Sequence, residues 1–198
     1  MGTACSQAGA APRESRALIE IKHKLTGEVL VRVEADTLVG VDLSDKDLAV
    51  ADLSGADLAN AVLRRTNLAV AELRGARLRG ADLTEANLTG ANLITASLEN
   101  AVMRGTILNG ASLGDANLVG AYLCKADLTG ASLVGANLQG ANLRGANLGT
   151  TSLQDAVLSN SLYDSRTTLP PLLLEPEAKG MVRAGDVELS KDMHPPLP

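Results

Sequence analysis

The side chains that carry most enzyme chemistry are scarce in this chain and stand apart. Its two histidines, His23 and His194, lie near opposite ends of the 198 residues, and its two cysteines, Cys5 and Cys124, are far from each other and from both histidines. No His, Cys or carboxylate constellation converges, so neither an enzyme activity nor a metal or cofactor is expected. One short motif is literal. Met1-Gly2-Thr3-Ala4-Cys5-Ser6 fits the pattern for myristoylation at Gly2, with Cys5 placed for a second acyl chain. Two lipids would anchor stably where one would not, and the reading would make the chain a lipid-anchored signalling scaffold. The competing reading is a plain disordered tail over residues 1–16.

The remaining chemistry is recognition. Arg64, Arg104 and Arg144 recur at intervals of 40 residues, and so do Val62 and Val102, with Tyr122 midway through the next interval. Arginine beside apolar and aromatic side chains is the composition of a protein-binding surface. The alternative is that outward positions drift freely and Tyr122 merely covers the interior. Either reading requires an element that brings residues 20 or 40 apart onto one face.

That element is visible from Val41 to Asn160. Leu occupies the central place of 24 consecutive pentads, from Leu43 to Leu158, with Met103 as the one substitution. Ala or Thr stands two places earlier in every pentad from Ala51 to Ala156, and Asp or Asn lies between them in 13 of the 24. A period of five would spiral around a helix and alternate faces in a strand. It works only if the chain turns once per pentad, with Ala and Leu pointing inward and each pentad forming a short wall. Stacked at the strand spacing of about 4.8 Å, six coils of 20 residues would make a rod roughly 29 Å tall. Period five alone permits three or four walls per coil.

Ala, then Asp or Asn, then Leu and two variable residues resembles the signature of the pentapeptide-repeat family over about three-fifths of the chain. The resemblance implies an all-β fold, a right-handed quadrilateral parallel β-helix with four walls per coil. Right-handedness agrees with the general bias of parallel crossover connections. The resemblance also implies interaction roles. Some relatives resemble duplex DNA and protect type II topoisomerases, which makes a DNA mimic the second functional reading. Against it stand 12 acids and 9 bases in residues 41–160, with arginines across the second coil and no Phe at the central position.

Ahead of the repeats, residues 17–40 change to period two. Ile19, Ile21 and Leu25 alternate with charged residues, and after Thr26-Gly27 the alternation resumes in Val29, Val31 and Val33. This predicts a β-hairpin, with Gly27 supplying the positive φ of its turn, that caps the first coil. His23 reads as a structural side chain of that hairpin.

Behind them, residues 161–181 leave the register after Leu158. Tyr163-Asp164, Thr167, Pro170, Pro176-Glu177 and Gly180-Met181 are similar to the closing segment of many pentapeptide-repeat proteins, whereas Leu172, Leu173 and Leu174 depart from it. A capping segment is expected there, followed by a disordered tail over 182–198.

Surface charge is expected to pair between rungs: Asp45, Arg65 and Glu85 in one column, Asp57 with Arg77, Arg79 with Glu99. Such pairing accounts for the basic second coil better than a nucleic-acid patch, which would also want aromatic residues to stack on bases. Gly fills the last pentad place in 11 of 24 cases, where positive φ allows type II turns. Val50, Val70, Arg65, Glu85 and Lys125 in that place predict corners of another kind. Cys124 is expected to face outward and react freely.

No apolar run is long enough to span a membrane, and the first 16 residues lack the apolar core of a signal peptide. A reducing cytoplasm is the expected location. The expected partner is another protein, with no nucleic acid, and nothing in the sequence excludes dimerisation.

Overall fold

A computed structural model describes residues 17–173 and 175–185. Gly2 and Cys5 lie outside the described residues. From Asp42 onward, single parallel bridges join residues 20 apart: Asp42 to Val62, Asp47 to Asn67, Asp52 to Glu72 and Asp57 to Arg77, each column continuing upward. Four pentads therefore complete one circuit, and the chain forms a four-walled parallel β-helix. The walls are named first to fourth in that order. Each rung is held by two kinds of ladder bond, such as Leu63 N–H to Asp82 O at 2.7 Å and Val62 N–H to Val41 O at 2.9 Å.

The interior is the Leu and Ala ladder that the spacing requires. From Leu43 to Leu148 every central residue is buried, Met103 among them. Ala beside Leu keeps the inner volume small enough to fill without aromatic rings. Three threonines replace Ala at 66, 106 and 151, and their hydroxyls donate to the carbonyls of Leu43, Leu83 and Leu128 at 2.8 Å each. Their burial leaves no polar group unsatisfied, which is why Thr can share that place.

The corners differ from expectation. Every fifth position from Asp45 to Asn160 except Thr150 has positive φ, including Val50 at 59°, Arg65 at 53°, Val70 at 58°, Glu85 at 59° and Lys125 at 60°. Each corner closes with a bond from the next residue's N–H to the carbonyl of the inward residue, as in Ala51 to Leu48 at 3.1 Å. Positive φ at the third residue makes these type II turns. The ladder outweighs local preference: Val50 N–H donates to Ala69 O at 2.9 Å, and Val70 N–H to Thr89 O at 2.8 Å. A type I corner would turn its central peptide and remove that carbonyl from the stack. Thr150 marks the one departure. There Gly130 N–H donates to the Thr150 hydroxyl at 2.9 Å in place of a corner carbonyl.

Both ends carry additional pairing. β1 (Leu18–His23) and β2 (Val29–Glu34) form an antiparallel hairpin, and β1 pairs antiparallel with β3 (Ala51–Asp52) on the third wall. Gly27 has φ 71° at the turn, and His23 Nδ1 accepts the N–H groups of Leu25 and Thr26 at 3.2 Å. Ile21 joins the core, whereas Leu25, expected on the apolar face, lies in the turn and is 80% exposed.

At the other end the bridging does not stop after Leu158. Asn142 pairs with Leu162, and Asn147 pairs with Thr168, 21 residues on, so one extra residue enters between them. Ser161 and Tyr163 are buried in the places of Ala and Leu. β4 (Leu162–Tyr163) then pairs in parallel with β5 (Val182–Arg183), so the tail expected to be disordered from 182 begins as a strand. Its pairing is fixed by Asn160 N–H to Gly180 O at 2.7 Å and Val182 N–H to Ser161 O at 2.8 Å.

Candidate protein-binding wall

The bridge register places the recognition residues together. Asp42, Val62, Asp82, Val102, Tyr122, Asn142 and Leu162 form one column of the first wall. Val62, Val102 and Tyr122 are partly exposed at its surface. Arg64, Arg104 and Arg144 each follow the inward residue of the same wall, so all six predicted residues share one face.

Their electrostatic settings differ more than their spacing. Arg64 has Thr84 above it in its own column and reaches diagonally to Asp82 in the next one, with Nη1 to Oδ2 at 3.4 Å. Arg144 Nε donates to Asn142 Oδ1 at 3.2 Å. Arg104 is exposed, and its guanidinium has neither hydrogen bond nor ion pair among the described residues. The side chain of Lys125, on the adjoining corner, is likewise exposed and unpaired.

Cys124 is not outward and free. It is 5% exposed, with Sγ 3.8 Å from the carbonyl oxygen of Asn142. A short side chain in this column lies flat against the wall between the long Arg104 and Arg144. Burial pushes its thiol pKa up, and the two arginines oppose that rise in part.

Charge pairing between rungs is partly as expected. Arg65 grips Asp45 with two bonds of 2.7 Å, and Arg77 meets Asp57 at 3.5 Å. The bond from Arg65 holds the Asp45 carboxyl below its ordinary value. Arg79 and Glu99 do not pair. Glu99 instead accepts from Ser97, and from Asn117 Nδ2 at 2.7 Å.

Sequence reasoning missed a cluster at the top of the same wall. Asp164, whose side chain is fully buried, receives Arg166 Nη2 at 2.6 Å, Gly145 N–H at 2.9 Å and the Thr167 hydroxyl at 3.1 Å. Burial alone would raise its pKa. The bonds from Arg166, Gly145 and Thr167 outweigh that and hold the carboxyl below its ordinary value. Tyr163 donates to Glu177 beside it. The motif residues Tyr163, Asp164 and Thr167 were legible, but Arg166 as the counter-ion was not. No group of three or more metal-ligating side chains occurs among the described residues, and no described helix is long and apolar enough to cross a membrane.

Comparison with curated proteins finds no match. Among solved structures, the chain is similar to the pentapeptide repeat protein Rfr23 from the cyanobacterium Cyanothece 51142, at 41% identity over 47% of this chain and a TM-score of 0.47. It spans 63% of that protein's length. A pentapeptide repeat protein of the Arabidopsis thaliana thylakoid lumen matches at 28% identity over 67% of this chain and 70% of that one, with a TM-score of 0.23. QnrB1, a plasmid-mediated fluoroquinolone resistance protein, matches at 22% over 59% of this chain and 58% of that one, with a TM-score of 0.46. The model of the pentapeptide repeats matches residues 37–68, 71–110, 106–145 and 131–161. The chain belongs to the pentapeptide-repeat family, whose members fold as right-handed quadrilateral β-helices.

Proposed function

We propose that the protein is a non-enzymatic scaffold that binds another protein through the first wall of its rod. The observation that carries this reading is the unpaired Arg104 beside the half-exposed Val102 and Tyr122. Arg65 and Arg77 take an acid, Asp45 and Asp57, whereas Arg74, Arg79 and Arg104 have no ion pair among the described residues, and of these three it is Arg104 that stands beside Val102 and Tyr122. An arginine without such a partner, next to the one tyrosine of the repeats, is better accounted for by a partner than by the fold. The interior agrees with this reading, being built mainly of buried Leu and Ala side chains.

In this reading the β1–β2 hairpin (17–40) and the segment 161–181 act as caps on six coils, residues 41–160. β1 covers the open edge of the first coil at β3, and the pairing of β4 with β5 covers the last. A cytoplasmic protein with a single structural rod is the simplest arrangement. DNA mimicry is the weaker alternative, because Arg64, Arg65 and Arg77 neutralise Asp82, Asp45 and Asp57 on the faces a mimic would keep acidic.

The test is site-specific photo-crosslinking with benzoylphenylalanine in place of Val102, compared with the same group in place of Ser132 on the third wall. A protein adduct at 102 and none at 132 is expected. Equal capture at both positions would remove the first wall from its special role.

A further inference from the structure

The upper half of the first wall has unspent positive charge on a fixed spacing. Arg104 and Arg144 stand two rungs apart, about 9.6 Å on the strand spacing. Between them lies Cys124, short and buried, which leaves the rung between the two guanidinium groups low. Lys125 adds a third positive charge on the adjoining corner, and Tyr122 with Val102 forms the apolar border. Two of the acids nearby are already engaged: Asp82 accepts from Arg64 and Thr84, and Asp164 is buried under Arg166. Glu85, exposed on the corner column of Lys125 one rung below Arg104, forms no ion pair with either among the described residues. Two cations held apart by a rigid rod recognise two anions at the same separation, and arginine suits carboxylates through its paired donors.

Resting on the reading of this wall as an interaction surface, we infer that its partner presents an extended acidic peptide in polyproline II conformation, laid along the rod axis, with carboxylates three residues apart. The spacing selects the backbone. Polyproline II repeats every three residues at about 3.1 Å each, so same-face side chains recur at about 9.3 Å. Same-face residues of a strand recur at about 6.7 Å, and those of a helix at about 5–6 Å or 10.5 Å. Neither matches the arginine interval as closely. Aromatic-bordered surfaces also suit the flat faces of such a chain, and its ordering cost is low because the conformation is already formed.

The probe is a fluorescein-labelled proline-rich nonapeptide with two glutamates three residues apart, titrated against the full-length protein by fluorescence anisotropy. Controls carry lysines in place of glutamates, or glutamates two residues apart. Saturable binding of the first peptide is expected, weakened about tenfold or more by Arg104→Ala or Arg144→Ala at unchanged melting temperature and by added salt. No saturation, equal binding of either control, or indifference to both substitutions would overturn the inference. A crosslinked partner at position 102, found together with any of those negative results, would retain the wall as a binding surface and still refute the acidic polyproline ligand.

Discussion

Asp164 Oδ1 accepts the backbone N–H of Gly145 at 2.9 Å, where the corners below it on the same edge use a backbone carbonyl. Lys125 N–H, one coil down, donates to Arg144 O at 3.1 Å, and Gly105 N–H to Cys124 O at 3.0 Å. The carboxylate thus ends the corner ladder where the backbone inserts its extra residue. Asp164→Ala should lower stability by about 2–3 kcal/mol, since it strips a buried acceptor from Gly145, Thr167 and Arg166. Urea unfolding of the variant measures this.

The same group sets an acid response. Its folded pKa is depressed, so its contribution is complete above the ordinary carboxylate value near 3.8 and is lost as pH falls through the folded value. The stability difference between wild type and Asp164→Ala should therefore shrink below about pH 4. A difference that stays constant down to pH 2 would separate Asp164 from the acid transition.

Leu98→Lys places a charge among fully buried leucines and should prevent folding, whereas Met103→Leu should change stability by less than about 1.5 kcal/mol because volume is nearly kept. Circular dichroism melts of both variants test the ladder.

Corner substitutions should follow φ. Val70→Gly relieves a β-branched residue at φ 58° and should stabilise by about 1 kcal/mol. Gly80→Ala should cost more than Gly110→Ala. Both have positive φ, but a Cβ on Gly80 would lie 2.5 Å from Oδ1 of the exposed Asn60, which must turn aside at small cost, while Gly110 faces open space. Equal melting temperatures for the two alanine variants would remove the steric part of this expectation.

Cys124 should react slowly with a thiol reagent in the native protein and at full rate in denaturant, given its burial and raised pKa. Rapid native labelling would mean that the wall opens around it.

The rod was legible because its signal is a period, and a period survives ignorance of any single residue. Leu every fifth place forces a turn per pentad, and Thr66 or Thr106 for Ala does not disturb it. The corners are not legible from their own side chains. Val50 and Val70 disfavour positive φ alone, but their N–H groups belong to ladders that fix the corner for the whole edge. Cys124 shows the same limit: it points outward without being exposed, because a short side chain between two long ones is covered. The arginine spacing was readable. That Arg64 turns to Asp82 while Arg104 stays unpaired required side-chain geometry, because the diagonal reach between columns is not written in the register.

Tyr122 and Arg104 bear the proposed role of the first wall, and both sit on its surface away from the buried ladder. Replacing both by alanine and measuring melting temperature beside affinity for the partner crosslinked at position 102 separates binding from folding. Melting should be nearly unchanged while binding weakens by about 2 kcal/mol or more. A double variant that keeps full affinity, or one that unfolds the rod, would take the binding role away from these two residues.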